Sequence, residues 1–113
     1  MTRFLILYNK PDDVHAFERH YQETHIPLAK KLPGLHRFTI SRNVLPVPGG
    51  EPYYLVAELD WDDPAALQRA LQSPEGQATA QDLGDHLARL SPGVRSMIYE
   101  VEDVEQDSST NGL

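Results

Sequence analysis

A chain of 113 residues with 40% hydrophobic and 24% charged residues has the composition of one soluble globular domain, with a thin core and little room for a second module. With no cysteine there is no disulfide framework, thiolate metal site or cysteine nucleophile, which suits a reducing compartment and predicts a cytoplasmic protein. The net charge of −7 gathers at the end of the chain, where Glu100, Glu102, Asp103, Glu105 and Asp107 follow the last base, Arg95. Without a basic stripe no nucleic-acid partner is expected, and without ~20 consecutive apolar residues no membrane span is expected.

Residues 3–9 are rich in Phe, Leu, Ile and Tyr and run into Asn9-Lys10-Pro11-Asp12, which predicts a strand stopped by turn chemistry. Phe4, Ile6 and Tyr8 lie on one face and Leu5 and Leu7 on the other, so both sides of this strand need cover. Asp12 or Asp13 can cap the helix that follows. At helical spacing Val14, Phe17, Tyr21, Leu28 and Leu32 form one apolar stripe, interrupted by Pro27, which predicts a kink near Glu23 to Pro27 or a break at which Pro27 opens a second short helix. Pro33-Gly34 ends the segment.

Residues 35–44 and 53–61 read as two strands of a hairpin, joined by a tip too rich in proline to be sheet interior. Asp62-Asp63-Pro64 and Ser73-Pro74 each carry a cap followed by a proline suited to a first helical turn, predicting helices from 64 and over 74–90. Residues 94–102 form the last strand. The domain is thus expected over residues 1–103, and residues 104–113 as an acidic, flexible C-terminal tail without the apolar content to pack.

Strand, helix, strand, strand, helix, strand is the ferredoxin-like βαββαβ order of the α+β class, with a four-stranded antiparallel sheet and helices on one face. The other face, carrying Leu5 and Leu7, has no further element to cover it. Homodimerisation through that sheet face is therefore expected, C2 dimers being the commonest oligomers.

Among residues able to carry chemistry, His25 falls roughly 20° from Val14 on the helical wheel, inside the apolar stripe. Beside a proline kink, one ring nitrogen can be fixed by a hydrogen bond while the other faces a cavity. Two roles stay open: a satisfied core histidine that pins the kink, or a general base. His20, about 140° away from His25, is predicted to face solvent, and two histidines five apart do not chelate a metal from a regular helix. Asp82 and His86, four apart, share a face, but a metal site needs more ligands, so no metal is expected. Of the aromatic residues, Phe17, Tyr8, Tyr21 and Tyr54 are assigned to the wall of a substrate pocket, tyrosine hydroxyls pointing in. There is no phosphate-binding glycine loop or nucleophile elbow, so no cofactor is predicted, and catalysis would work by placement and proton transfer.

The run from Phe17 to Leu35, with His25 followed by Pro27-Leu28-Ala29 and closed by Leu32-Pro33-Gly34-Leu35, resembles the signature of the EthD family. Ser73-Pro74-Glu75-Gly76-Gln77-Ala78, followed by Asp82-Leu83, is similar to that family's second-helix motif. Tyr21 departs from the family pattern, in which tryptophan is frequent. The resemblance spans roughly residues 3–102 and implies a ferredoxin-like protomer pairing into a dimeric α/β barrel, with His25 as its catalytic position. It also implies an oxidoreductase-type catabolic enzyme acting on a hydrophobic or aromatic small molecule. Alternatives are a cofactor-independent lyase or cyclase on an aromatic, polyketide-like substrate, or a non-catalytic binding or accessory protein of a monooxygenase system.

Overall fold

The computed structural model describes residues 1–105, so of the expected tail only Val104 and Glu105 are seen, and both are exposed. The remainder of that tail lies outside the described residues. Four strands, β1 (Thr2–Tyr8), β2 (Arg37–Ser41), β3 (Leu55–Trp61) and β4 (Arg95–Glu100), form one antiparallel sheet in the order β2-β3-β1-β4. Both central strands are the most apolar ones. β1 pairs with β3 from Thr2↔Trp61 to Tyr8↔Leu55, and with β4 from Thr2↔Glu100 to Leu7↔Arg95.

Because side chains alternate across a strand, this register fixes both faces of the sheet. Phe4, Ile6, Tyr8, Leu55, Ala57, Leu59 and Trp61 point to the helices and build the core. Leu5, Leu7, Val56 and Met97 point the other way, beside an ion-paired border in which Arg3 holds Glu58 at 2.8 Å and Asp60 at 2.7 Å. Met97 is 49% exposed.

The helices begin where capping chemistry predicts. Asp13 accepts from Ala16 N–H at 3.0 Å and opens α1 (Val14–His20); Asp63 accepts from Ala66 N–H at 2.8 Å and opens α3 (Pro64–Gln72). Ser73 accepts from Gly76 N–H at 3.0 Å and opens α4 (Pro74–Asp82). Gly76 sits against the end of α3, where a Cβ would lie 2.1 Å from the Ala70 carbonyl oxygen. Only glycine permits this approach of the two helices.

The expected kink is a change of helix type. After α1 the chain takes a π-helical turn, Tyr21–His25, and then α2 (Ile26–Ala29) with Pro27 in its first turn. Ile26 N–H bonds the Tyr21 carbonyl, five residues back. Pro27 has no N–H and its ring crowds the carbonyl four residues earlier, a conflict that the wider turn accommodates without a break. The predicted 74–90 helix likewise comprises α4, a π turn at Leu83–Leu87 and α5 (Ala88–Leu90). The first π turn moves the buried stripe onto Phe17, Tyr21, His25, Ala29 and Leu32, with Val14 and Leu28 only half-buried.

Candidate functional site

A cavity of about 80 Å³ lies between the inner face of the sheet and the helices. Its walls are largely apolar, with Phe4, Ile6, Phe38, Leu59 and Trp61 from the sheet and Leu32, Leu71 and Leu83 from the helical layer. Trp61 is anchored by Nε1 donating to the Pro33 carbonyl at 2.9 Å, which ties the end of the first helical segment to β3.

Besides Trp61 and Thr79, whose hydroxyl donates to the Glu75 carbonyl at 2.8 Å, three polar side chains reach this wall: His25, Tyr8 and Tyr21. Each sits there for a local reason. Tyr8 ends the inward alternation of β1, and Tyr21 and His25 stand four apart on the stripe kept in line by the π turn. The Tyr21 ring stacks on His25 with centroids 5.5 Å apart and meets Tyr8 edge-on at 5.6 Å. Both tyrosines are fully buried, and neither hydroxyl has a hydrogen-bond partner among the described residues. Burial pushes both phenols well above their ordinary range, Tyr8 further so through the charge of Asp82, so each keeps its proton and can donate.

His25 Nδ1 lies 2.8 Å from Asp82 Oδ2 at the C-terminal end of α4. Burial draws the imidazole below its ordinary value, outweighing the hydrogen bond and charge of Asp82, which favour the charged form. Asp82 is held below the usual carboxylate range: burial opposes ionisation, and hydrogen bonds from His25 and His20 overcome it. A neutral imidazole donating Nδ1–H to a carboxylate satisfies both groups and leaves Nε2 as the nitrogen free to accept. This geometry matches a positioned general base.

The predicted site residues therefore divide. His25, Tyr8 and Tyr21 come together on the cavity. Phe17 does not line it: its ring stacks behind Tyr21 at 5.5 Å and packs edge-on to Tyr8, so it supports the wall. Tyr54 does not line it either, because its hydroxyl donates to Glu18, which also accepts from Arg42 at 2.7 Å. The expectation that His20 faces solvent is corrected. Its Nε2 lies 2.7 Å from Asp82 Oδ1, because hydrogen bonds running five residues back bring residues 20 and 25 to one side of the helix. Asp82 is the partner that sequence reasoning missed. Its only trace in the sequence was the second-helix motif and the His86 spacing.

Residues 10–90 match the EthD domain family. A Rhodococcus erythropolis protein, described as an uncharacterized 11.0 kDa protein in the thcB-thcC intergenic region, is 34% identical over 104 residues, covering 91% of this chain and 96% of that one. The crystal structure of an ethyl tert-butyl ether degradation (EthD) family protein from Bacillus halodurans C-125 superposes with a TM-score of 0.79 at 36% identity, over 90% of this chain and 99% of that chain. A dimeric ferredoxin-like protein of unknown function from Thermobifida fusca shares the fold at 14% identity, with a TM-score of 0.65 over 88% and 90% of the two chains. Family match, relative and fold agree with the sheet order and the His25 segment: the chain belongs to the EthD family, with a ferredoxin-like fold.

Proposed function

We propose that this protein is a small-molecule enzyme that binds a hydrophobic or aromatic compound carrying a carbonyl oxygen, and that His25 moves a proton at a carbon beside that carbonyl. The observation that carries this reading is the meeting of one Asp82-oriented imidazole and two unpartnered, fully buried hydroxyls on the wall of an apolar cavity. In the step, Nε2 of His25 takes the proton of a C–H next to the carbonyl. The C–H bond breaks, the N–H bond forms, and the electron pair moves to the carbonyl oxygen, where Tyr8 and Tyr21 donate to the developing charge. Returning the proton elsewhere completes an isomerisation, and loss of a leaving group completes an elimination. An oxidoreductase of the kind the family suggests would use the same deprotonation to make its substrate electron-rich toward an external oxidant such as dioxygen, which would take the electrons.

The functional form is a homodimer joined through the open sheet face, supported by Leu5, Leu7, Val56 and Met97 lying together there and by the dimeric state named for the Thermobifida fusca protein.

Cyclic monoketones and aryl alkyl ketones, whose C–H exchanges slowly in water, serve as probes, with binding followed by calorimetry and exchange of that C–H with solvent deuterium followed by NMR. The expected result is exchange in the wild type and a loss of about 10²- to 10⁴-fold in His25→Ala with probe binding retained. Binding without exchange in the wild type would instead make this a carrier or accessory protein. No binding by any probe would remove the reading.

A further inference from the structure

On the side of Asp82 away from the cavity stands a second cluster. His20 at the end of α1, Asp82 at the end of α4 and His86 in the following π turn bring His20 Nε2, Asp82 Oδ1 and a ring nitrogen of His86 within 4.8 Å of one another. We propose that these three side chains bind a divalent transition-metal ion of the zinc class. The site is separate from the cavity, since none of the three is among its lining residues.

Donor type comes first. Two imidazoles and one carboxylate oxygen suit zinc, cobalt or nickel rather than calcium or magnesium, which prefer all-oxygen shells. Spacing comes second. Bonds of about 2.0–2.1 Å in a tetrahedral shell set donor atoms about 3.3 Å apart. The observed separations, 2.7 Å from His20 Nε2 to Asp82 Oδ1 and 3.9 Å from His86 Nδ1 to the same oxygen, bracket that value. Adjustments of about 0.6 Å on these two sides, with the two imidazoles, whose donor nitrogens lie within 4.8 Å, drawn in toward each other, make the shell. His86 is free to supply its share, because its side chain is 51% exposed and stacks on the His20 ring at 4.8 Å.

Local geometry supplies the third support. Asp82 and His86 are four apart along one helical segment, a spacing that puts two donors on one face. The π turn brings His20 to the same carboxylate from the neighbouring segment. Asp82 Oδ2 stays engaged by His25 Nδ1, so Oδ1 is the oxygen offered to the ion, and the carboxylate is already oriented. The ion would take the position between His20 Nε2 and Oδ1, with His20 carrying its proton on Nδ1. Three protein donors with His86 at the surface leave a fourth position open to water. Bound there, the ion would cross-link α1 to α4 and stabilise the folded chain by mass action.

The test uses tag-free protein, freed of metal by a chelator. Zn²⁺ binding is followed by calorimetry and Co²⁺ binding by visible absorption, both without any organic ligand, so the outcome does not depend on the proposed reaction. One ion per protomer is expected, with a raised melting temperature in Zn²⁺. Affinity should fall at least about tenfold in His86→Ala and in His20→Ala, and be unchanged in His15→Ala, an exposed histidine outside the cluster. Circular dichroism checks that each variant is folded, and His86→Ala, which alters a half-exposed side chain, keeps the test decisive if His20→Ala is not. Absence of binding to the wild type, or undiminished binding in a folded His86→Ala or His20→Ala, would overturn the proposal.

Discussion

Replacing Tyr8 or Tyr21 by phenylalanine removes one oxygen from a fully buried ring and alters nothing else in its packing. In the folded chain neither hydroxyl has a partner among the described residues, whereas in the unfolded chain each is solvated by water. A buried hydroxyl without a hydrogen bond costs about 1–3 kcal/mol. Each substitution is therefore expected to stabilise the ligand-free protein by about 1 kcal/mol, a rise of about 4 °C in melting temperature for a domain of this size. The rings are in contact, with centroids 5.6 Å apart, so the double variant should not show the simple total of the two effects. Urea unfolding reports this as a higher midpoint at unchanged slope. The same variants should bind a carbonyl probe about two- to tenfold more weakly, since each loses a donor worth roughly 0.5–1.5 kcal/mol. A gain in stability paired with a loss in affinity marks groups kept for a ligand. If both variants were destabilised by more than about 0.5 kcal/mol, the hydroxyls would be satisfied in the free protein and the reasoning would fail.

Gly76→Ala should cost about 1–3 kcal/mol or more, measured by the same unfolding curves, because its Cβ would lie 2.1 Å from the Ala70 carbonyl and 2.6 Å from that of Leu71, both fixed backbone atoms. An unchanged midpoint would show that α3 and α4 can part freely. Glu18 should give the chain part of its acid sensitivity. Burial alone would raise its carboxyl, but the hydrogen bonds from Arg42 and Tyr54 and the charge of Arg42 bring it below the ordinary 4.5. Its stabilisation is present above that value and is lost as pH falls through the lower, folded-state value. Glu18→Gln should therefore be less stable than the wild type near neutrality and converge with it in acid, and a constant difference at every pH would contradict this. Leu5→Lys places a cation opposite Glu58 within the protomer, which the single chain tolerates, but sets like charges together where two sheets would meet. Light scattering should report a dimer for the wild type and a monomer for the variant.

The strands and helix starts were legible because they rest on local chemistry. Alternation in Phe4, Ile6 and Tyr8 is a two-residue pattern that survives in the folded sheet, and Asp13, Asp63 and Ser73 each cap within three residues of their own position. Strand ends were less legible. The predicted 35–44 strand pairs only over Arg37–Ser41, with Asn43 in a left-handed conformation (φ 57°) just beyond it. The inward turn of His25 was legible from its place on the stripe. Its partner was not, because Asp82 lies 57 positions away and nothing local marks a carboxylate that must accept from two rings. The placing of Tyr54 failed for a similar reason: its hydroxyl donates to Glu18, which also accepts from Arg42, and that contact joins three separate segments.

The error over His20 has a physical cause that also explains the site. A wheel drawn at a constant angle sends residues five apart to different faces, and Pro27 makes that angle wrong where it matters. Because proline disturbs the regular ladder, the chain widens into a π turn between Tyr21 and His25, and a spacing of five then acts as a spacing of four does in an ordinary helix. One carboxylate can thereby accept from both imidazoles, with Oδ2 toward His25 on the cavity wall and Oδ1 toward His20 near the surface. The helix irregularity is thus the element that joins the buried imidazole to its orienting charge. A regular helix through the same residues would leave His25 pointing inward with no assurance that its Nδ1 met an acceptor, and a buried imidazole without one gives up both its fixed tautomer and its orientation.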